Sequence, residues 1–154
     1  MTKIVRTTAD VFYPFCLVFG LYVVIHGHLT PGGGFQGGAV MATGAALLLV
    51  AHAYEDITGR IRKGAMKVLE ALGLMMFIFA GFSGILFDRP FMGNWMAFTG
   101  KLFGTPVAHG VNPGDLNTAV LLPLLNIGVG IEVLGGLTII LLYMLSGIKE
   151  EKKP

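Results

Sequence analysis

Three stretches of this sequence, 11–29, 35–54 and 71–87, contain no Asp, Glu, Lys or Arg, and a fourth, 116–148, contains Glu132 as its one charge. A helix needs about 20 apolar residues to cross the hydrocarbon core of a bilayer, so each of the first three is long enough to span. The fourth is 33 residues long, and at a rise of about 1.5 Å per residue it is too long for one crossing. Its embedded part is therefore expected to begin near Pro123 and end near Ser146, leaving Glu132 close to mid-depth. Composition agrees: 54% of the side chains are hydrophobic and 13% charged, where a soluble domain carries about 25% charge. The expected fold is all-α, a single polytopic membrane domain over 1–154 with four transmembrane helices at about 10–29, 35–54, 68–87 and 121–147. The first apolar run has full spanning length and no obvious small-residue cleavage site, so it reads as a span rather than a signal peptide. Cys16 sits inside that run and reads as a small buried hydrophobe.

The eleven basic residues sort by side. Lys3 and Arg6 precede the first span, Arg60, Arg62, Lys63 and Lys67 lie between the second and third, and Lys149, Lys152 and Lys153 follow the fourth. Four crossings put all of these on one side, with Arg89 and Lys101 on the other, and the positive-inside rule then places both termini in the cytoplasm. The net charge of +2 is a mark of membrane topology, not a nucleic-acid footprint. The connection 88–115 is expected to be a long outer loop between helices 3 and 4, with Trp95 suited to the headgroup belt or to a short interfacial helix.

Between the first two spans the chain reads His26-Gly27-His28-Leu29-Thr30-Pro31-Gly32-Gly33-Gly34-Phe35-Gln36-Gly37-Gly38. Gly32, Gly34 and Gly37 fit G-x-G-x-x-G, with Glu55 about 20 residues on, as in a dinucleotide-binding fingerprint. That fingerprint requires a strand and an α/β sheet, whereas a spanning run precedes these glycines, and no Gly-Lys-Ser/Thr follows for a phosphate loop. The expected role is structural. Pro31 should end the first helix and the glycine triplet should permit positive φ in a tight turn. Gly34 and Gly38, then Ala42, Ala45 and Ala46, give the second helix a small-residue stripe; Gly73, Ala80, Gly81 and Gly84 do the same for the third, and Gly128, Gly130, Gly135 and Gly136 for the fourth. Such stripes allow close helix packing in lipid. On the expectation that four helices are too few to occupy so many small faces, the stripes point to a larger membrane assembly.

Glu132 is the one intramembrane charge, and a carboxylate at that depth costs at least about 2.5 kcal/mol, which makes it an ion-path candidate or a hydrogen-bonded interface carboxyl. Gly128, Gly135 and Gly136 lie four before and three and four after it, so it shares the close-packing face. Asn126 on the same helix is a weaker candidate, suited to an interhelical hydrogen bond. His28 is expected to make a polar contact to the glycine turn, with proton exchange as its functional alternative. His26 and His28, two apart and so about 200° around a helix, cannot chelate one metal, and His52 and His109 supply no third ligand. Glu70, Asp10, Glu55 and Asp56 fall at span ends and read as solvated boundary charge.

The segment Gly27 to Gly38 resembles the signature of the MnhB (MrpB) family, one of the subunit types of the Mrp-type multisubunit sodium/proton antiporters, and of its relatives in archaeal membrane-bound hydrogenase complexes. The stretch Asn126-Ile-Gly-Val-Gly-Ile-Glu132-Val-Leu-Gly-Gly136 resembles that family's glycine-rich last helix, and the likeness runs from about Thr8 to Ser146. It implies a non-catalytic membrane subunit without a cofactor or bound metal. Its partners would be other membrane subunits, the lipid bilayer, sodium ions and protons, in the cell membrane of a prokaryote. In the family the Pro-Gly-Gly-Gly-Phe element matters for activity, which by position transfers to Pro31, Gly32, Gly33, Gly34 and Phe35. Two departures stand out: antiporter members commonly carry Asp at the position of Asn126, and their counterpart of Glu132 is usually uncharged. The Asn-Ile-Gly-Val-Gly form is that of relatives in hydrogenase-type complexes.

The first functional reading is thus a cation/proton antiporter module within a hydrogenase-type or related redox-driven complex. The alternatives are a component of a free-standing Mrp antiporter and a structural scaffold without an ion path. A small membrane enzyme would need a nucleophile, base and stabiliser at one depth, or clustered carboxylates for Mg²⁺, and the sequence offers neither.

Overall fold

The computed structural model of the chain describes residues 1–29, 31–52, 54–95 and 121–150. Most of the connection 88–115, with Lys101 and His109, lies outside the described residues, as do Lys152 and Lys153. The described residues form five helices: α1 (Lys3–Ile25), α2 (Gly34–Ala51), α3 (Tyr54–Arg60), α4 (Lys63–Leu86) and α5 (Leu121–Glu150). Among them α1, α2, α4 and 121–147 of α5 are long and apolar enough to cross a membrane. The fold is all-helical with four candidate spans.

The helices overrun the charge-free windows at their basic ends. The first span begins at Lys3 rather than near residue 10, and the third at Lys63 rather than 68. Lack of charge marks the hydrocarbon core, but backbone hydrogen bonding continues into the polar zone, where Lys and Arg are easily solvated. The opposite correction applies at the other end of α1. It stops at Ile25, six residues before Pro31, so the proline does not end it. The 26–29 turn does: Gly27 donates to the Val24 carbonyl at 3.4 Å and Leu29 to the His26 carbonyl at 2.9 Å, tightening the chain out of helical register. Pro14 inside α1 is tolerated, as prolines in membrane helices often are.

Gly33 is extended and leads into α2, with its N–H donating to the Gln36 side chain at 2.9 Å. At the far end of α4, Trp95 folds back: its indole N–H donates to the Ser83 hydroxyl at 2.9 Å and its ring stacks on Phe87 at 3.7 Å. Trp95, which opens a 3₁₀ turn whose continuation lies outside the described residues, is thus tied to the end of α4. The seven-residue α3, not foreseen in the sequence, closes the opposite end of the bundle. Its Ile57 is fully buried in a cluster with Ala9, Leu48, Leu49, Ala51 and Leu142.

Packing runs α1 to α2, α2 to α5 and α5 to α4, with a lighter contact between α1 and α5. Successive spans alternate in direction, since Gly20 meets Gly37 while Gly44 meets Tyr13 and Cys16, and Gly128 meets Gly73 while Gly135 meets Met66 and Glu70. The start of α1, α3, the start of α4 and the end of α5 therefore share one end of the bundle. Lys3, Arg6, Arg60, Arg62, Lys63 and Lys67 are all there, and Arg89 is at the other end.

These contacts also overturn the step from glycine stripes to a larger assembly. Gly20, Gly34, Gly37, Gly38, Gly73, Gly128, Gly130 and Gly135 each lie against another helix of the same chain. The small faces are occupied internally. What α1 and α4 turn outward is bulky, including Phe12, Phe15, Phe19, Met75, Phe79 and Phe82.

Candidate functional site

The two glycine-rich motifs, about 90 residues apart in sequence, dock on each other. The Asn126 side chain sits between the bare Cα atoms of the turn. A Cβ on Gly27 would lie 2.8 Å from Asn126 Nδ2, and one on Gly33 3.2 Å from Asn126 Oδ1. Gly34 abuts the Asn126 carbonyl and the Val129 side chain, and one turn further Gly38 abuts the Gly130 carbonyl and Val133. Close approach along this line explains why α2 opens with glycines: real Cβ atoms essentially never come nearer than about 3 Å to another heavy atom. Within the glycine triplet positive φ is found at Gly32, whose φ is 150°, while Gly33 is extended and Gly34 helical. Pro31 and Phe35 face outward, Phe35 with 60% of its surface exposed.

His28 lies in the turn, half-buried, and both of its ring nitrogens are buried without a hydrogen-bond partner. Among the described residues the expected polar contact to the glycine turn is not made. His26 is different, its Nδ1 lying 3.1 Å from the Tyr22 carbonyl and its ring stacking on Tyr22 at 4.1 Å. Helical spacing does not govern the pair, because α1 has ended before either residue. Among the described residues no three His, Cys, Asp or Glu side chains converge.

Glu132 lies on the seam between α5 and α4, where Gly73 lets the helices meet. A Cβ on Gly73 would stand 2.6 Å from the Gly128 carbonyl oxygen and 2.8 Å from the Glu132 Cα. The same seam contains Glu70, expected as a solvated charge at the span's edge. Because α4 begins at Lys63, Glu70 is about two turns inside the helix and is half-buried against α5. Its backbone packs on Gly135, and its Oε1 lies 3.4 Å from where a Cβ of Gly136 would stand. Gly136 is one turn along α5 from Glu132, so the two half-buried glutamates belong to successive turns of one helix interface. Towards the basic end, Lys63 Nζ lies 4.5 Å and Lys67 Nζ 5.5 Å from the centre of the Tyr143 ring. Ionisable groups thus mark the α4 side of α5 at intervals, from Glu132 through Glu70 to Tyr143 and the two lysines, while Asn126 lies on the α2 side of the same helix.

A second polar cluster joins the helices under α3. Asp10 Oδ1 is 3.0 Å from His52 Nε2 and 3.6 Å from an Arg60 nitrogen, linking α1, the end of α2 and α3. The imidazole contact is off the N–H axis, so it is an ionic approach rather than an aligned hydrogen bond.

Residues 4–139 match the family described as a domain related to the MnhB subunit of Na+/H+ antiporter. The chain belongs to the MnhB family. The match takes in both glycine motifs, Glu70 and Glu132, so the interface just described is the family's own domain. An uncharacterised protein of Methanocaldococcus jannaschii is 33% identical over 89% of this MnhB-family chain, which spans only half of that relative's length. The B-type Na(+)/H(+) antiporter subunit of Alkalihalophilus pseudofirmus is 31% identical over 81% of the chain and 80% of its own length. The B-type antiporter subunit of Bacillus subtilis is 29% identical over 53% of the chain and 57% of its own.

Proposed function

We propose that this chain is the B-type membrane component of a multisubunit complex that exchanges sodium for protons across a prokaryotic cell membrane. It holds both termini in the cytoplasm and performs no chemistry of its own. The observation that carries this reading is the α4–α5 seam, in which Glu132 and Glu70 stand a turn apart within the MnhB domain. A carboxylate in a membrane helix is costly and is expected to face a bundle interior or a polar path. Two on one interface, with Lys63, Lys67 and Tyr143 towards one end, suit stepwise hand-over of a proton or cation along α5, and Asn126 stands beyond the other end on the α2 side of the helix. His28, with its unpartnered nitrogens, stands near the Asn126 end as a further exchange group. The docked glycine motifs hold α2 against α5 and so fix the depth at which Glu132 is presented. The cytoplasmic assignment follows from the six basic residues gathered at one end of the bundle.

The complex is of the hydrogenase-type, redox-driven class. Support comes from the Asn126-Ile-Gly-Val-Gly form and from a glutamate at position 132, where resemblance to the free-standing antiporters would lead to Asp and an uncharged residue. A free-standing antiporter is favoured instead by the match over 80% of the A. pseudofirmus protein. Adjacent reading frames decide between them, since a gene for the large chain of a nickel-iron hydrogenase next to this one selects the redox complex. The path itself is tested by E132Q and E70Q in the assembled complex. Each is expected to lower sodium-dependent proton flux by about tenfold while subunit content stays constant. Unchanged flux in both leaves the chain a scaffold.

A further inference from the structure

A cavity of about 70 Å³ lies where all four spans meet, lined by Tyr13 and Leu17 of α1, Met41 and Ala45 of α2, Met66 of α4, Leu134 and Thr138 of α5, and Ile61. Thr138 is 1% exposed, and its hydroxyl has no hydrogen-bond partner. Helical threonines ordinarily donate back to the carbonyl four residues earlier. In this chain Thr7, Thr8 and Thr43 do so, at 3.1, 2.9 and 2.9 Å. Thr138 departs from that habit at a site where its helix borders empty space, and an unmade hydrogen bond in a membrane interior is among the costliest omissions a helix can carry.

We propose that this cavity is a hydration site, in which Thr138 holds water inside the bundle. A water needs about 10–15 Å³ of such space and two or more polar partners, so a cavity of about 70 Å³ holds a short cluster of them. A bound cation is a poorer fit. Hard cations take about six oxygens, and among the lining residues only Thr138 and Tyr13 carry a side-chain oxygen, beside the methionines Met41 and Met66. Location gives the water a use. Ile61, in the α3–α4 connection, lines the cavity, so it reaches towards the basic end of the molecule. Met66 lines it from α4, one turn before Glu70 on nearly the same face. The water cluster therefore hydrates the approach to Glu70 from the basic end, a role that rests on the seam path proposed above; the hydration site itself does not.

X-ray radiolytic hydroxyl labelling of the assembled complex in native membrane vesicles tests it, because the radical forms from water and oxidises a thioether beside it. Met41 is 8% exposed and Met75, on the outward face of α4, is 68% exposed. With water in the cavity, Met41 and Met66 are labelled faster than the lipid-facing Met75, reversing the order of surface exposure. T138V is expected to lower labelling of Met41 and Met66 by about threefold or more, and T138S to retain it. Labelling of Met41 and Met66 no faster than of Met75 in the wild type overturns the proposal, whether or not T138V assembles. Fast labelling with unchanged proton flux in both E132Q and E70Q upholds the hydration site and removes the path, so the two failures are separable.

Discussion

Gly73 has no room for a side chain. Its missing Cβ would press on the backbone of Gly128 and Glu132, and backbone atoms cannot swing aside as a flexible side chain can. Gly73→Ala is therefore expected to cost about 1–3 kcal/mol, as overpacking does, by forcing α4 and α5 apart at the level of Glu132. Gly64→Ala, in the first turn of the same helix, meets nothing within 4 Å and should be neutral or stabilising by up to about 1 kcal/mol. Thermal denaturation of the two variants in the same detergent separates packing from helix propensity, and equal shifts would refute the close contact. Residues read in isolation reach their limit at these glycines. Gly32 is recognisable as a turn glycine from Pro31 and its neighbours, and its φ of 150° agrees. Gly33 and Gly34 look the same in sequence, yet they are needed because Asn126, some ninety residues away, lies against them. Likewise the unpaired state of His28 follows from what surrounds the turn, which no local pattern encodes.

At the level of the element, the long helices were legible and their ends were not. Hydrocarbon thickness imposes a length on any apolar run, so four spans follow from composition along the chain. Helix ends are set by hydrogen bonds and flanking charge, so α1 and α4 extend beyond the apolar windows at the basic end, and that extension lets Glu70 pack against α5 from within a helix. The short α3 has too little periodicity to announce itself. It is held by Ile57, which is 0% exposed among residues of α1, α2 and α5. Ile57→Ala should cost about 2–5 kcal/mol locally, the usual penalty of a cavity in a packed cluster. Asp10→Asn, which weakens the contacts to His52 and the well-exposed Arg60, should cost under about 1 kcal/mol. Limited tryptic cleavage after Arg60 and Arg62 in inside-out vesicles reports both. Ile57→Ala is expected to speed it several-fold and Asp10→Asn little; comparable rates would mean that polar contacts, not burial, hold α3.

For the whole molecule, the surplus of 23 glycines changes meaning once the helices are placed in order. Small residues zip α1 to α2, α2 to α5 and α5 to α4, leaving aromatic and aliphatic faces outward on α1 and α4. Likeness to antiporter subunits, not glycine content, is what supports the proposed assembly. The handedness of its insertion rests on charge. Among the described residues Lys3, Arg6, Arg60, Arg62, Lys63 and Lys67 stand at one end and Arg89 at the other, so transfer of the basic end across the membrane would carry the larger share of the cations through the hydrocarbon. Single cysteines placed in a Cys16→Ala background read this directly, since Cys16 is the chain's one native thiol. Asp56 and Arg89 are exposed at opposite ends of the bundle. An impermeant maleimide added to intact cells is expected to label Arg89→Cys, and to label Asp56→Cys only after the membrane is opened. The reverse pattern would place the basic end outside, and with it the cavity mouth near Ile61 and the Lys63–Lys67 end of the carboxylate seam. Water would then reach Glu70 from the outer face, and the direction of ion hand-over along α5 would have to be inverted.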